Sequence, residues 1–170
     1  MDLITEIEGY AMSDDHDHRP WTSATQGTRV LIECPASSSP SIVADVVRRH
    51  GFDVRTCEGP CDRGACDLLD HGTCALVSGA DVVVNLLGAA DPAADDVLGA
   101  VLAERRPPAC VVERTPERLR LDRDGRRVPA GRRRPTTIVS PVTSRDLIRG
   151  VYDAIESRER SVPWWGDGYS

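Results

Sequence analysis

Residues 81–87, DVVVNLL, constrain the fold more than any other stretch: five of the seven are Val or Leu, with no alternation of apolar and polar positions. A strand that is apolar on both faces needs a helix layer above it and another below, which is the setting of a central parallel strand. The flanking segments follow suit. Residues 29–34 (RVLIEC), 52–57 (FDVRTC), 109–113 (ACVVE) and 136–140 (TTIVS) read as further short strands. Between the first two, residues 41–50 (SIVADVVRRH) place Ile42, Val43, Val46 and Val47 on one helical face, and Gly51 closes that helix. Asp91 caps a helix that opens on Pro92 and runs to about residue 105, and Ser144 caps a last one to about residue 157, with Leu147, Ile148, Val151 and Ile155 on one face. Residues 58–80 are rich in Cys and Gly, with one apolar turn on each side of Gly72. Strand and helix in alternation predict an α/β fold around a parallel sheet.

A chain of 170 residues suits one such domain. The sequence divides into an acidic N-terminal arm (1–28), the α/β domain (29–158) and an aromatic C-terminal tail (159–170). All 21 cationic side chains are Arg, with no Lys, against 27 acidic ones, for a net charge of −6. Without lysine there is no Schiff-base chemistry and no phosphate-loop ammonium, because guanidinium stays charged under ordinary conditions. No apolar run approaches the roughly 20 residues that cross a bilayer. The N-terminus, with Asp2, Glu6 and Glu8, lacks the positive start of a secretory signal, so the expectation is a soluble cytoplasmic protein.

In that compartment six cysteines point to thiols or metal ligands before disulfides. Four of them are spaced Cys57-x3-Cys61-x4-Cys66-x7-Cys74. Thiolates are soft ligands, so Cys57, Cys61, Cys66 and Cys74 are the candidate metal site, for zinc or an iron-sulfur cluster. The competing readings are a loop of partly buried thiols and a disulfide such as Cys57–Cys66. His71, in a polar turn, reads as a surface residue, and Cys110 as a small buried one.

Three segments together resemble the receiver domain of two-component response regulators: RVLIECPASSSPSIVADVVRRHGFDV, ADVVVNLL and IVSPVTSRDLIRGVYDAI. The resemblance covers residues 29 to 157 and implies a doubly wound, flavodoxin-like sheet of five parallel strands in the order 2-1-3-4-5. That order would gather Cys34, Cys57 and the Cys-rich loop at the carboxyl edge, where such folds place ligands. The family holds a divalent cation on an acidic pair after strand one and phosphorylates an Asp at the end of strand three. It also carries a hydroxyl residue after strand four and a Lys before the final Pro. Here the corner reads Glu33-Cys34-Pro35, the acceptor position falls on Asn85 or Leu86, Thr115 is near the hydroxyl position, and Ser140 precedes Pro141. The resemblance therefore implies a degenerate receiver: a non-catalytic regulatory or adaptor protein acting through protein contact.

The stretch LIECPASSSPS also resembles the loop of phosphocarriers that are phosphorylated on a cysteine after strand one. That implies an alternative in which Cys34 is the nucleophile and Ser37, Ser38 and Ser39 help cradle the phosphoryl group. Pro35 and Pro40 each remove an amide donor from such a cradle.

Two further segments are candidate contacts. Residues 114–135 hold nine arginines against three acids, a net +6, with Asp124-Gly125 as a hairpin signal. The segment lacks interleaved aromatics and the chain is acidic, so an acidic protein partner, the chain's own acidic arm or a solvated hairpin all outrank nucleic acid. In the tail, Trp164, Trp165 and Tyr169 are the candidate partner-binding residues, since such aromatics dominate binding hot spots.

Overall fold

The computed structural model describes residues 21–22, 27–60, 66–88, 92–125 and 134–160. Five parallel strands form one sheet: β1 (Arg29–Glu33), β2 (Asp53–Cys57), β3 (Val82–Asn85), β4 (Ala109–Arg114) and β5 (Thr136–Val139). Their order is β2-β1-β3-β4-β5, which puts the most apolar strand in the centre. Among the described residues six α-helices connect or flank them: α1 (Pro40–Arg48), α2 (Asp67–His71), α3 (Ala75–Gly79), α4 (Pro92–Ala103), α5 (Pro116–Gly125) and α6 (Ser144–Arg160).

Alternation along each strand divides the core into two layers. Val30 and Ile32 of β1, Val82 and Val84 of β3 and Val111 of β4 meet Ala44 and Val47 of α1 and Leu147, Val151 and Ala154 of α6. Leu31, Val83 and Val112 face the other way, against Leu68 of α2, Val77 of α3 and Ala94, Val97, Leu98 and Val101 of α4. All four residues of β3 are buried, so the strand has no wet face. Gly150 lets α6 lie close on the sheet: a Cβ there would sit 2.8 Å from Ile138 Cγ2.

A backbone hydrogen bond and an ion pair to Asp81 tie the amino edge. The Arg29 amide donates to one Asp81 carboxylate oxygen at 3.0 Å and the Arg158 guanidinium to the other at 2.9 Å. This contact explains why α6 runs on to Arg160 where its apolar face alone predicts an end near residue 157. Cationic Arg158 and Arg160 also suit the negative end of the helix dipole.

The hairpin expected around Asp124-Gly125 is replaced by helix α5. The Thr115 hydroxyl accepts the Arg118 amide at 3.2 Å, and Pro116 takes the first helical position, where its missing N–H costs nothing. Arg114, a buried guanidinium, donates to Asp95 of α4 at 2.9 Å, and Arg118 binds the other oxygen of the same carboxylate. Tertiary pairing thus overrides a local turn signal.

Trp21 and Thr22, which the sequence places in the N-terminal arm, lie against the domain. Trp21 Nε1 donates to the Leu76 carbonyl at 2.7 Å, the Arg55 guanidinium stands 5.5 Å from the ring, and the Arg29 guanidinium donates to the Thr22 carbonyl at 3.3 Å. The indole occupies the space left by Gly79, where a Cβ would fall 2.0 Å from its Cδ1. Gly79→Ala therefore unseats Trp21. In a Trp164→Phe, Trp165→Phe chain, whose single tryptophan is then Trp21, its fluorescence will shift to the red and become more quenchable. An unchanged spectrum would show that this seat is not used.

Candidate functional site

The carboxyl edge gathers the chemistry because each strand there ends in a side chain with a polar or thiol group, except Val139 of β5. Register places Glu33 of β1 level with Cys57 of β2 on one side and Asn85 of β3 on the other. Glu33 is 3% exposed and Asn85 2% exposed, so their mutual contact takes the place of water. Asn85 Nδ2 donates to Glu33 Oε2 at 3.1 Å. Backbone bonds fix the frame: the Cys34 amide donates to the Cys57 carbonyl at 2.9 Å, and the Leu86 amide to the Glu33 carbonyl at 2.7 Å.

Burial pushes the Glu33 carboxyl from its ordinary 4.5 up to about 7, with the Asn85 hydrogen bond pulling the other way. The pair is therefore a carboxyl poised near neutrality beside a carboxamide. It does not offer the two carboxylates that hold a divalent cation, and Asn85 presents an amide where an acyl-phosphate acceptor would need a carboxylate.

The other edge groups are engaged in structure. Ser140, ahead of Pro141, donates its hydroxyl to the Glu113 carboxylate. Thr115 caps α5 as described above.

The structure brings three of the four candidate metal ligands into one neighbourhood. Cys57, Cys66 and Cys74 all pack against the apolar layer under α2, α3 and α4. Burial pushes the Cys57 thiol up to about 11; the Gly59 amide, 3.4 Å from its sulfur, opposes the shift, while Glu33, Cys74 and Cys66 add to it. Cys74 is raised by burial as well, held back by the Val77 and Leu76 amides and pushed further by Cys66 and Glu33. Among the described residues no three His, Cys, Asp or Glu side chains are already arranged around a single ion position. Cys61 lies outside the described residues, as do Trp164, Trp165 and Tyr169. His71 is exposed at the end of α2.

Cys34 is fully buried on the opposite face, in the layer with α1 and α6. Burial and then Glu58 push its thiol up to about 11. A phosphoryl-accepting cysteine needs exposure and a thiolate, and this placement supplies neither. Cys110 is the small buried residue expected, its thiol near the Pro108 carbonyl at 3.6 Å and pushed by burial up to about 12. The Asp95–Arg114–Arg118 pairing, the Ser140–Glu113 contact and the Trp21 seat were not read from sequence. Only the Thr115-Pro116-Glu117 start of α5 carried a local signal.

No protein-family model matches the chain, and no curated protein matches it by sequence. Solved structures do. A response regulator receiver protein from Sinorhizobium medicae superposes with a TM-score of 0.54 at 18% identity, covering 78% of this chain and 98% of that one. A CheY-like receiver domain protein from Methanospirillum hungatei gives 0.53 at 13% identity, over 79% and 98%. A protein described as an adenylate cyclase, from Rhodopirellula baltica, gives 0.54 at 13% identity, over 79% and 92%. At such identities the likeness is one of fold: this chain has a receiver-like, flavodoxin-like domain. Among its described residues no helix is long and apolar enough to cross a membrane.

The buried carboxyl makes stability depend on pH. Because the folded-state pKa of Glu33 lies above its ordinary value, its contribution is most favourable below about 4.5 and is lost as pH rises through about 7. Glu33→Gln, which keeps the shape and the Asn85 contact but cannot ionise, should stabilise the fold by about 3 kcal/mol near pH 8 and by about 1 kcal/mol near pH 5. Urea unfolding at the two pH values measures this, and an equal effect at both would refute the assignment.

Proposed function

We propose that this chain is a non-catalytic regulatory or adaptor domain that keeps the receiver scaffold, does not take up phosphate on it, and acts by contact with another protein. The observation that carries the reading is Asn85: it ends β3, is buried, and is hydrogen-bonded to Glu33. An amide nitrogen bound to a neighbouring carboxyl is no nucleophile toward phosphorus. A single buried acid at the end of β1 would also bind a divalent cation weakly, since such cations favour several oxygen donors.

Partner contact is supported by what the fold leaves outside. Helix α5 exposes Arg120 and Leu121, the latter 66% accessible, at the start of the Arg-rich stretch 114–134. An arginine surface with an apolar residue in it suits an acidic protein partner, because guanidinium pairs with carboxylate in a planar fork. The tail residues Trp164, Trp165 and Tyr169 are the second proposed contact, on their chemistry alone.

Incubated with acetyl phosphate and Mg2+, the full-length chain is expected to keep its unmodified mass. A hydroxylamine-labile phosphate adduct would overturn the reading. Asn85→Asp is the companion variant: any adduct gained there and absent from the wild type locates the lost acceptor at this position.

A further inference from the structure

We propose that the cavity at the amino edge of the sheet is the seat of this chain's own C-terminal tail, and takes an indole of the pair Trp164–Trp165. The cavity holds about 290 Å³ and lies where helices of both layers reach the starts of β4 and β5. Leu102 of α4, Pro108 and Ala109 where β4 begins, and Ala154 of α6 give it an apolar lining, with Arg134 and Arg158 beside them. Sites for drug-sized ligands run from about 300 to 1,000 Å³, so this one is matched to a single ring system rather than to a nucleotide or a flavin.

Reach selects the occupant. Helix α6 ends at Arg160, six positions past Ala154, which is about 9 Å of helix. Trp164 is four residues beyond Arg160, and four extended residues span at most about 14 Å. A tether that short sets an effective concentration on the order of millimolar, which favours the chain's own indoles over a free ligand or a second copy. Pro163 disfavours helix at Val162, so the residues after α6 need not follow its axis. Charge agrees with this choice. Residues 161–170 carry one acid, Asp167, and no cation, against Arg134 and Arg158 at the cavity. Arg158 donates to Asp81, and a guanidinium that donates along its edge can still take an aromatic ring on its face. The domain already seats Trp21 in this manner, with the Arg55 guanidinium 5.5 Å from the ring centroid. The inference does not rest on the regulatory reading; a partner that binds the same tryptophans has to displace them from the cavity.

The test is NMR on the full-length, isotopically labelled chain. Nuclear Overhauser contacts are expected between the indole protons of Trp164 or Trp165 and the methyl groups of Leu102, Ala109 and Ala154, independent of protein concentration. Tail indoles at random-coil shifts with no contact to those methyls, the result for a tail that serves only an external partner, would overturn the proposal. So would contacts seen only between labelled and unlabelled chains in a mixed sample, which would give the cavity to a second copy. Fluorescence supplies a second readout, because Trp21→Phe leaves the tail pair as the only tryptophans. Their emission should lie to the blue of free tryptophan. Adding Ser157→Phe, at an exposed position on α6 that lines the cavity, puts another ring in the seat and should shift the emission to the red. Emission that Ser157→Phe leaves unchanged would overturn the assignment as well.

Discussion

Everything in this structure depends on keeping β3 dry on both faces. Val82, Val83, Val84 and Asn85 are all buried, so one helix layer must cover each side and every connection must cross over the sheet. The crossovers explain the alternation of strand and helix along the chain. They also send all five strands the same way, so that every strand ends at one edge. The same dryness sets the chemistry there. Glu33, in register with Asn85 on the central strand, loses its water and is left with one amide as a partner.

The second organising force is arginine. In a chain with no lysine, the guanidinium groups bridge elements in ways a point charge cannot. Asp95 of α4 receives Arg114 from the end of β4 and Arg118 from α5, which holds that helix against the domain. At the other edge Asp81 joins the start of β1 to the last turns of α6. The partly exposed pairs contribute little individually, about 0–1 kcal/mol each. Arg114 differs: it is buried, so its pairing with Asp95 is less screened by water than the others. At the carboxyl edge Ser140, ahead of Pro141, gives its hydroxyl to Glu113.

The carboxyl edge thus brings several kinds of polar group together. An acid faces an amide, a hydroxyl is tied to a neighbouring carboxylate, and beside them a neighbourhood of thiols has formed where β2 ends and two short helices begin. Cys34, adjacent in sequence to Glu33, belongs to the opposite layer, because successive residues of a strand point to opposite faces. A separation of one residue decides that one group sits at the site and the other in the core.

Local pattern alone determined much of this protein. Continuous and alternating apolar runs located all five strands, helical periodicity located α1 and α6, and the glycine-flanked apolar turns foreshadowed α2 and α3. The resemblance to receiver segments supplied the strand order. These features were legible because each is written in residues a few positions apart. Tertiary structure decided the rest. That residues 116–125 form a helix follows from Thr115 at its cap and from Asp95, about twenty residues upstream, drawing in Arg114 and Arg118. That Trp21 belongs to the domain follows from the space over Gly79 and the carbonyl of Leu76, more than fifty residues away. The raised proton affinity of Glu33 and the placing of Cys57, Cys66 and Cys74 against one apolar layer arise from burial and register, which exist only once the sheet has closed. A sequence pattern reports which face a side chain takes; what it meets there is set by segments arriving from elsewhere in the chain.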